Sequence, residues 1–227
     1  MRRIVNLFAR GGNGLLLTLG LVSVAAAQVA PLPEHHLVNA LSIQPPPLQE
    51  VRYATPYNFT GRVLYPFPAV FLHKDAAEAL QKVQQELAAE GLGLKIYDGY
   101  RPLHVQGLMW EAVPDERYVS DPSKSRGRHT RGVAVDVTLV DRHGNELAMP
   151  TPYDDFSERA HRSAAATWTP EQRANVEKLE AVMKKHGFEP FPFEWWHYDL
   201  RNWQKYPPLN IGFEDLRRGV RVAEPVP

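Results

Sequence analysis

The sequence predicts an α+β fold, an antiparallel sheet with flanking helices, on three observations. Three segments carry apolar residues at helical spacing, short strands alternate with period two, and the two kinds of element follow one another irregularly rather than in strict β-α-β order. A chain of 227 residues with 44% hydrophobic content favours a single domain with a full core.

The elements follow in order. From His73 to Ala89, residues Ala76, Leu80, Val83 and Leu87 recur on one helical face, and Gly91 is the stop signal. Leu94 to Tyr97 is a short strand running into the Asp98-Gly99 turn. Pro102 suits the first turn of a helix over Leu103 to Ala112. From Gly132 to Leu139, the residues Val133, Val135, Val137 and Leu139 face one way, and Ala134, Asp136 and Thr138 the other. Arg142-His143-Gly144-Asn145 is a turn. Thr169-Pro170-Glu171-Gln172 is a capping box opening a helix to His186, with Leu179, Val182 and Met183 inward and Gly187 ending it. Glu194 to Leu200 is the last strand expected.

The ends differ from the middle. Arg2, Arg3 and Arg10 precede an apolar run from Gly14 to Val24, followed by Ala25-Ala26-Ala27. A basic start, a run short for a membrane span and a small-residue site read as an export signal over residues 1–27, which places the protein in the periplasm or outside the cell. Removal takes three of the 26 basic residues and none of the 26 acidic ones, leaving a net charge of −3. Residues 28–50 form a proline-rich arm, 51–218 the domain and 219–227 a loose tail.

Composition excludes several functions. A net charge of +0 offers no basic field for nucleic acid. With no cysteine there is neither disulfide nor thiol nucleophile, and any metal must be held by His, Asp or Glu. Nothing in the sequence sets an oligomeric state.

Three segments carry chemistry. Asp136 is a carboxylate inside an apolar strand, costly unless paired or metal-bound, and His129 precedes it beside Gly132, which lets the backbone turn. A salt-bridged aspartate and a surface histidine are the plain alternative. In Glu194-Trp195-Trp196-His197 the indoles exclude water, which raises a carboxylate toward a useful base. Ordinary core tryptophans with a satisfied histidine are the alternative there. In Asp98-Gly99-Tyr100-Arg101-Pro102 an arginine either aims into a cleft or bonds carbonyls at the turn. Taken together, His129, Asp136 and His197 make a three-ligand zinc site with an open position, Glu194 a base and Arg101 an oxyanion partner.

At these residues the sequence resembles the D-alanyl-D-alanine dipeptidase family of zinc D,D-peptidases. The matching blocks are Arg52 to Gly61, Asp98 to Pro102, His129 to Leu139, Tyr153-Asp154 with Glu158-Arg159, and Glu194 to Tyr198, in the family's order. The resemblance implies the D,D-peptidase fold shared with hedgehog-type domains. It implies one zinc on His129, Asp136 and His197, Glu194 as general base and acid, and Arg101 as the transition-state arginine. Tyr53 and Asp154 match positions lining the small substrate pocket, where a carboxylate suits the ammonium of a free dipeptide. Gly127 stands where the family usually has serine, and Ser125 is near but out of register. The implied partner is a small D,D-dipeptide, with a role in salvage of wall-derived dipeptides and no stable membrane insertion once the signal is gone. Two other readings stand beside this one: a D,D- or L,D-carboxypeptidase acting on peptidoglycan stem peptides, and a non-catalytic zinc or wall-binding module. The latter has no need of Glu194.

Overall fold

The computed structural model describes residues 36–124 and 127–219. The expected export signal, residues 28–35 of the arm, Ser125, and the tail beyond Gly219 lie outside the described residues. Within them the elements run β1 (Leu37–Asn39), β2 (Leu48–Gln49), β3 (Phe71–His73), α1 (Lys74–Ala89), β4 (Leu92–Asp98), α2 (Leu103–Ala112), β5 (Ala134–Asp141), α3 (Pro170–Lys185), β6 (Phe188–Pro190), β7 (His197–Leu200) and α4 (Phe213–Gly219). This is the α+β class expected.

The main sheet has the order β2-β4-β5-β7-β6. All its pairings are antiparallel except the edge pair β2 and β4, which is parallel, so the sheet is mixed at one rim. A second sheet pairs β1 with β3. Residues 36–50 are therefore no arm ahead of the domain. They supply a strand to each sheet, and Leu37, Ala40 and Ile43 are buried. The prolines of this segment point to a linker in the sequence, but proline is compatible with sheet edges as well as with extended arms.

The helices form as their patterns require. His73 caps α1 by accepting from the amide of Asp75, and Ala76, Leu80, Val83 and Leu87 are buried. Thr169 and Gln172 complete the capping box of α3, with Leu179, Val182 and Met183 buried. α1 packs on β4, α3 on β6 and β5, and the two helices touch each other. Each buried Leu, Val or Met among these contributes about 1.5–3 kcal/mol.

Strand β5 departs from the one-sided pattern: Ala134 through Val140 are all buried. It is the sheet's central strand, with β4 on one side and β7 on the other, and both its faces are covered. Asp136 is thus held in the interior. The Glu194-Trp195-Trp196 part of the last expected strand stays outside β7, which begins at His197.

Candidate active site

Register builds the site. Asp136 on β5 lies directly opposite Asp98 of β4 and opposite His197 of β7, so three polar residues form one row across adjacent strands. The β4 register slips between Ile96 and Asp98, a bulge of the kind that re-aims side chains at a sheet's rim. His129 comes from a 3-10 turn, His129–Arg131, closed by Gly132 at φ 70. A Cβ at Gly132 would lie 2.6 Å from Leu37 Cδ2 and 2.9 Å from the backbone nitrogen of His73, so only glycine fits both the angle and the space. That turn swings His129 back over the strand.

The hydrogen bonds around each ring decide its orientation. His129 Nδ1 faces the Gly99 carbonyl at 2.7 Å and must donate to it. His197 Nε2 faces Asp199 Oδ1 at 3.0 Å and donates likewise. The remaining ring nitrogens then meet at 3.1 Å, and Asp136 Oδ1 lies 3.0 Å from His197 Nδ1 and 3.4 Å from His129 Nε2. With both rings neutral, these three atoms offer lone pairs and no proton between them. Only a shared positive charge relieves that. Burial opposes charge on His197, but Asp199 and Asp136 outweigh it and raise its pKa to about 10. Burial likewise works against ionised Asp136, yet the facing imidazoles hold it well below the usual carboxylate range. A tetrahedral zinc with ligands at about 2.0–2.2 Å separates them by about 3.3–3.6 Å, close to the spacing here. His129, Asp136 and His197, all buried, are the group among the described residues whose atoms converge as a metal site.

Around this group lies a small, partly open cleft, lined by Tyr53, Arg101, Asp154, Glu194 and the three converging residues among others. Glu194 Oε2 is 3.8 Å from His197 Nδ1. Burial pushes its carboxyl well above the usual range, with Asp136 and Asp154 adding to the effect against the pull of His197. Arg101 is held from three sides: Nε and Nη2 donate to Asp98 Oδ2 at 3.0 and 2.7 Å, and Nη1 donates to Gln106 Oε1 at 3.0 Å. Its guanidinium also lies 5.4 Å from the Tyr53 ring centroid. Tyr53 donates to Asp154 Oδ1 at 3.0 Å. Asp154 Oδ2 is buried with no hydrogen-bond partner, and its backbone is left-handed at φ 64. Burial, with Asp136 next, pushes the Asp154 carboxyl up to about 8.

All seven residues expected from sequence therefore line one cleft. Sequence reading missed their supports. Tyr153 bonds Asp136 Oδ2 at 3.0 Å and Tyr53 at 3.1 Å. Asp199 is legible in hindsight, because a His-x-Asp spacing on a strand puts both side chains on one face. Gln106 and Asp98 serve Arg101, and for Gln106 no local pattern announces it. A Cβ at Gly127 would lie 3.4 Å from Gln106 Cδ, so the absence of a side chain there leaves that amide its place.

Comparison with known proteins agrees with the blocks quoted from the sequence. A family model described as D-ala-D-ala dipeptidase matches residues 34–211. The D-alanyl-D-alanine dipeptidase of Escherichia coli (strain K12) is 39% identical over 173 residues, covering 76% of this chain and 89% of that protein. Those of Enterococcus faecium and Enterococcus faecalis (strain ATCC 700802 / V583) are each 33% identical over 184 residues, covering 72% of this chain and 90% of theirs.

Proposed function

Because the chain belongs to the D-Ala-D-Ala dipeptidase family of metallopeptidases, we propose that it is a zinc enzyme hydrolysing D-Ala-D-Ala and related free D,D-dipeptides. The observation that carries the substrate class is Asp154: a half-buried residue of the cleft whose Oδ2 is buried and unpartnered. A free dipeptide brings an ammonium that such a group pairs with. A stem peptide brings a neutral amide there instead, which leaves the charge of Asp154 unpaired.

The residues divide the work. Tyr53 orients Asp154, which anchors the ammonium and so places the scissile carbonyl. Zinc on His129, Asp136 and His197 would supply Lewis acidity toward that carbonyl and the attacking water. Glu194, made more basic by burial, takes the water's proton and returns it to the leaving amine. Arg101, already locked by Asp98 and Gln106, meets the oxyanion as it develops without reorganising.

We further propose that residues 1–27 direct export and that the mature protein begins near Gln28. Outside the cytoplasm the enzyme cannot reach the dipeptide pool that feeds wall synthesis, so salvage of wall-derived dipeptides is its task. Among the described residues no helix is long and apolar enough to cross a membrane. N-terminal sequencing of the protein from its own cells checks the first point, and an intact Met1 on soluble cytoplasmic protein refutes it.

In the decisive assay, D-Ala-D-Ala, L-Ala-L-Ala and a stem pentapeptide are each offered to the zinc-loaded protein. Cleavage of the first alone is expected, with loss of activity on chelation and recovery with zinc. Release of terminal D-Ala from the pentapeptide while the dipeptide is spared would establish the carboxypeptidase reading instead. No cleavage of any of them by zinc-loaded protein would favour a binding module.

A further inference from the structure

Beside His197 stand two charged residues to which the mechanism above gives no role. Asp199 follows His197 by two positions on β7, so both side chains leave the same face of the sheet. It is buried, and its two oxygens look in different directions. Oδ1 is 3.0 Å from His197 Nε2, and Oδ2 is 3.1 Å from Arg128 Nε. The Arg128 guanidinium is layered between two rings, 4.9 Å from the Phe191 centroid and 5.1 Å from that of Trp203. Arg128 is also the residue immediately before His129.

With His197 read as a ligand, as proposed above, we infer that Asp199 is the positioning residue for that ligand and that Arg128 is the strut that holds Asp199. A neutral imidazole carries its proton on either nitrogen, and only the bare nitrogen can bind a metal. An ionised carboxylate accepts and cannot donate, so Asp199 keeps the proton on Nε2 and turns the Nδ1 lone pair toward Asp136 and His129. A buried carboxylate answered only by an imidazole leaves an oxygen without a partner, at a considerable cost. Arg128 answers that oxygen with its charge, as an ion pair at 3.1 Å rather than an aligned hydrogen bond. Phe191 and Trp203 fix the guanidinium plane, since arginine stacks on aromatic faces. The strut also ties together the two segments that carry the histidines, β7 and the 3-10 turn at His129.

The test is zinc affinity, measured on the full-length protein by competition with a chromophoric chelator, for Asp199→Ala, Asp199→Asn, Arg128→Ala and the Asp199→Ala/Arg128→Ala double variant. Circular dichroism confirms the fold of each. Asp199→Ala should weaken zinc about 10–100-fold. Asp199→Asn, whose amide oxygen still accepts from Nε2, should restore most of that. Arg128→Ala should lose about 3–10-fold, and the double variant should be no worse than Asp199→Ala alone, because the arginine acts through the aspartate. Side-chain nitrogen NMR of the zinc-loaded wild type should place the His197 proton on Nε2. If Asp199→Ala does not fold, Arg128→Ala and Asp199→Asn still decide: zinc affinity unchanged in the first, or no better in the second than in a His197→Ala control, overturns the inference. Normal zinc binding by Asp199→Ala overturns it alone, as does simple summing of the two effects. A wild-type protein that takes up no zinc overturns the ligand assignment itself, and this inference with it.

Discussion

Two turns that line or support the cleft each carry an aspartate, Asp98 buried and Asp154 half-buried, and they are built to opposite ends. At the end of β4, Asp98 is saturated: Oδ1 accepts from the Tyr65 hydroxyl at 2.8 Å and the Gly99 amide at 2.9 Å, and Oδ2 takes both nitrogens of the Arg101 fork. At Asp154 one oxygen takes the Tyr53 hydroxyl, the other takes nothing, and the backbone sits at φ 64. The saturated turn is a scaffold, spending its carboxylate on aiming an arginine. The unsaturated one has the form of a receptor on the proposed reading, its strained, underbonded state being what a bound ammonium would relieve. How fully a buried carboxylate is bonded therefore separates support from binding more sharply than its place in the cleft does.

Glu194 extends the contrast to a third carboxylate and carries the largest expected effect. Glu194→Ala should lower kcat about 10²–10⁴-fold while zinc stays bound, because on the proposed mechanism the residue moves a proton and holds no metal. Loss of zinc from that variant would make Glu194 a support like Asp98. Next come the two ends of the scaffold. Arg101→Ala should lower kcat about 10²–10³-fold with little change in KM, since its partner charge exists only in the transition state. Asp98→Ala should reproduce most of that loss through misdirection of Arg101, and the double variant should be little worse than either. Full additivity would mean that Asp98 does more than aim the arginine.

The receptor turn should behave differently. Asp154→Asn should raise KM for D-Ala-D-Ala about 10–100-fold, the worth of a hydrogen bond to a charged group, and leave kcat nearly intact. It should also stabilise the free protein. The folded-state pKa of about 8 lies above the unfolded value, so ionising Asp154 costs stability that is lost progressively as pH rises from about 4 to 8. Asp154→Asn removes this cost, and its advantage in Tm should therefore be larger at pH 8 than at pH 5. At this length 1 kcal/mol corresponds to about 2–4 °C. An equal Tm difference at both pH values would show that the carboxylate is not held neutral.

Much of this is legible in the sequence. Helical spacing and the Thr169 capping box place α1 and α3, and the alternation in β5 isolates Asp136 as a polar residue in an apolar strand. The seven site residues stand in segments dense with Gly, Pro, Trp and His, where local signals are strong. The rest depends on pairing between distant segments. The Asp98-Asp136-His197 row exists only through register, which no single segment encodes. Residues 36–50 look like a linker because strands of two or three residues carry too few positions to show a period. Gln106 reaches Arg101 from within α2, where a buried glutamine looks like any exposed one in sequence.

Leu37 has a further consequence. It is packed against Gly132, and the Gly132 carbonyl receives the His73 amide at 2.7 Å, so the turn that aims His129 is clamped from the N-terminal side of the domain. The proposed removal of residues 1–27 therefore has a floor. A cut after Ala27 spares that clamp by nine intervening residues, whereas trimming past Leu37 would loosen the turn that carries His129, more than ninety positions downstream. On the proposed reading, the permissible start of the mature polypeptide is set by the geometry around His129.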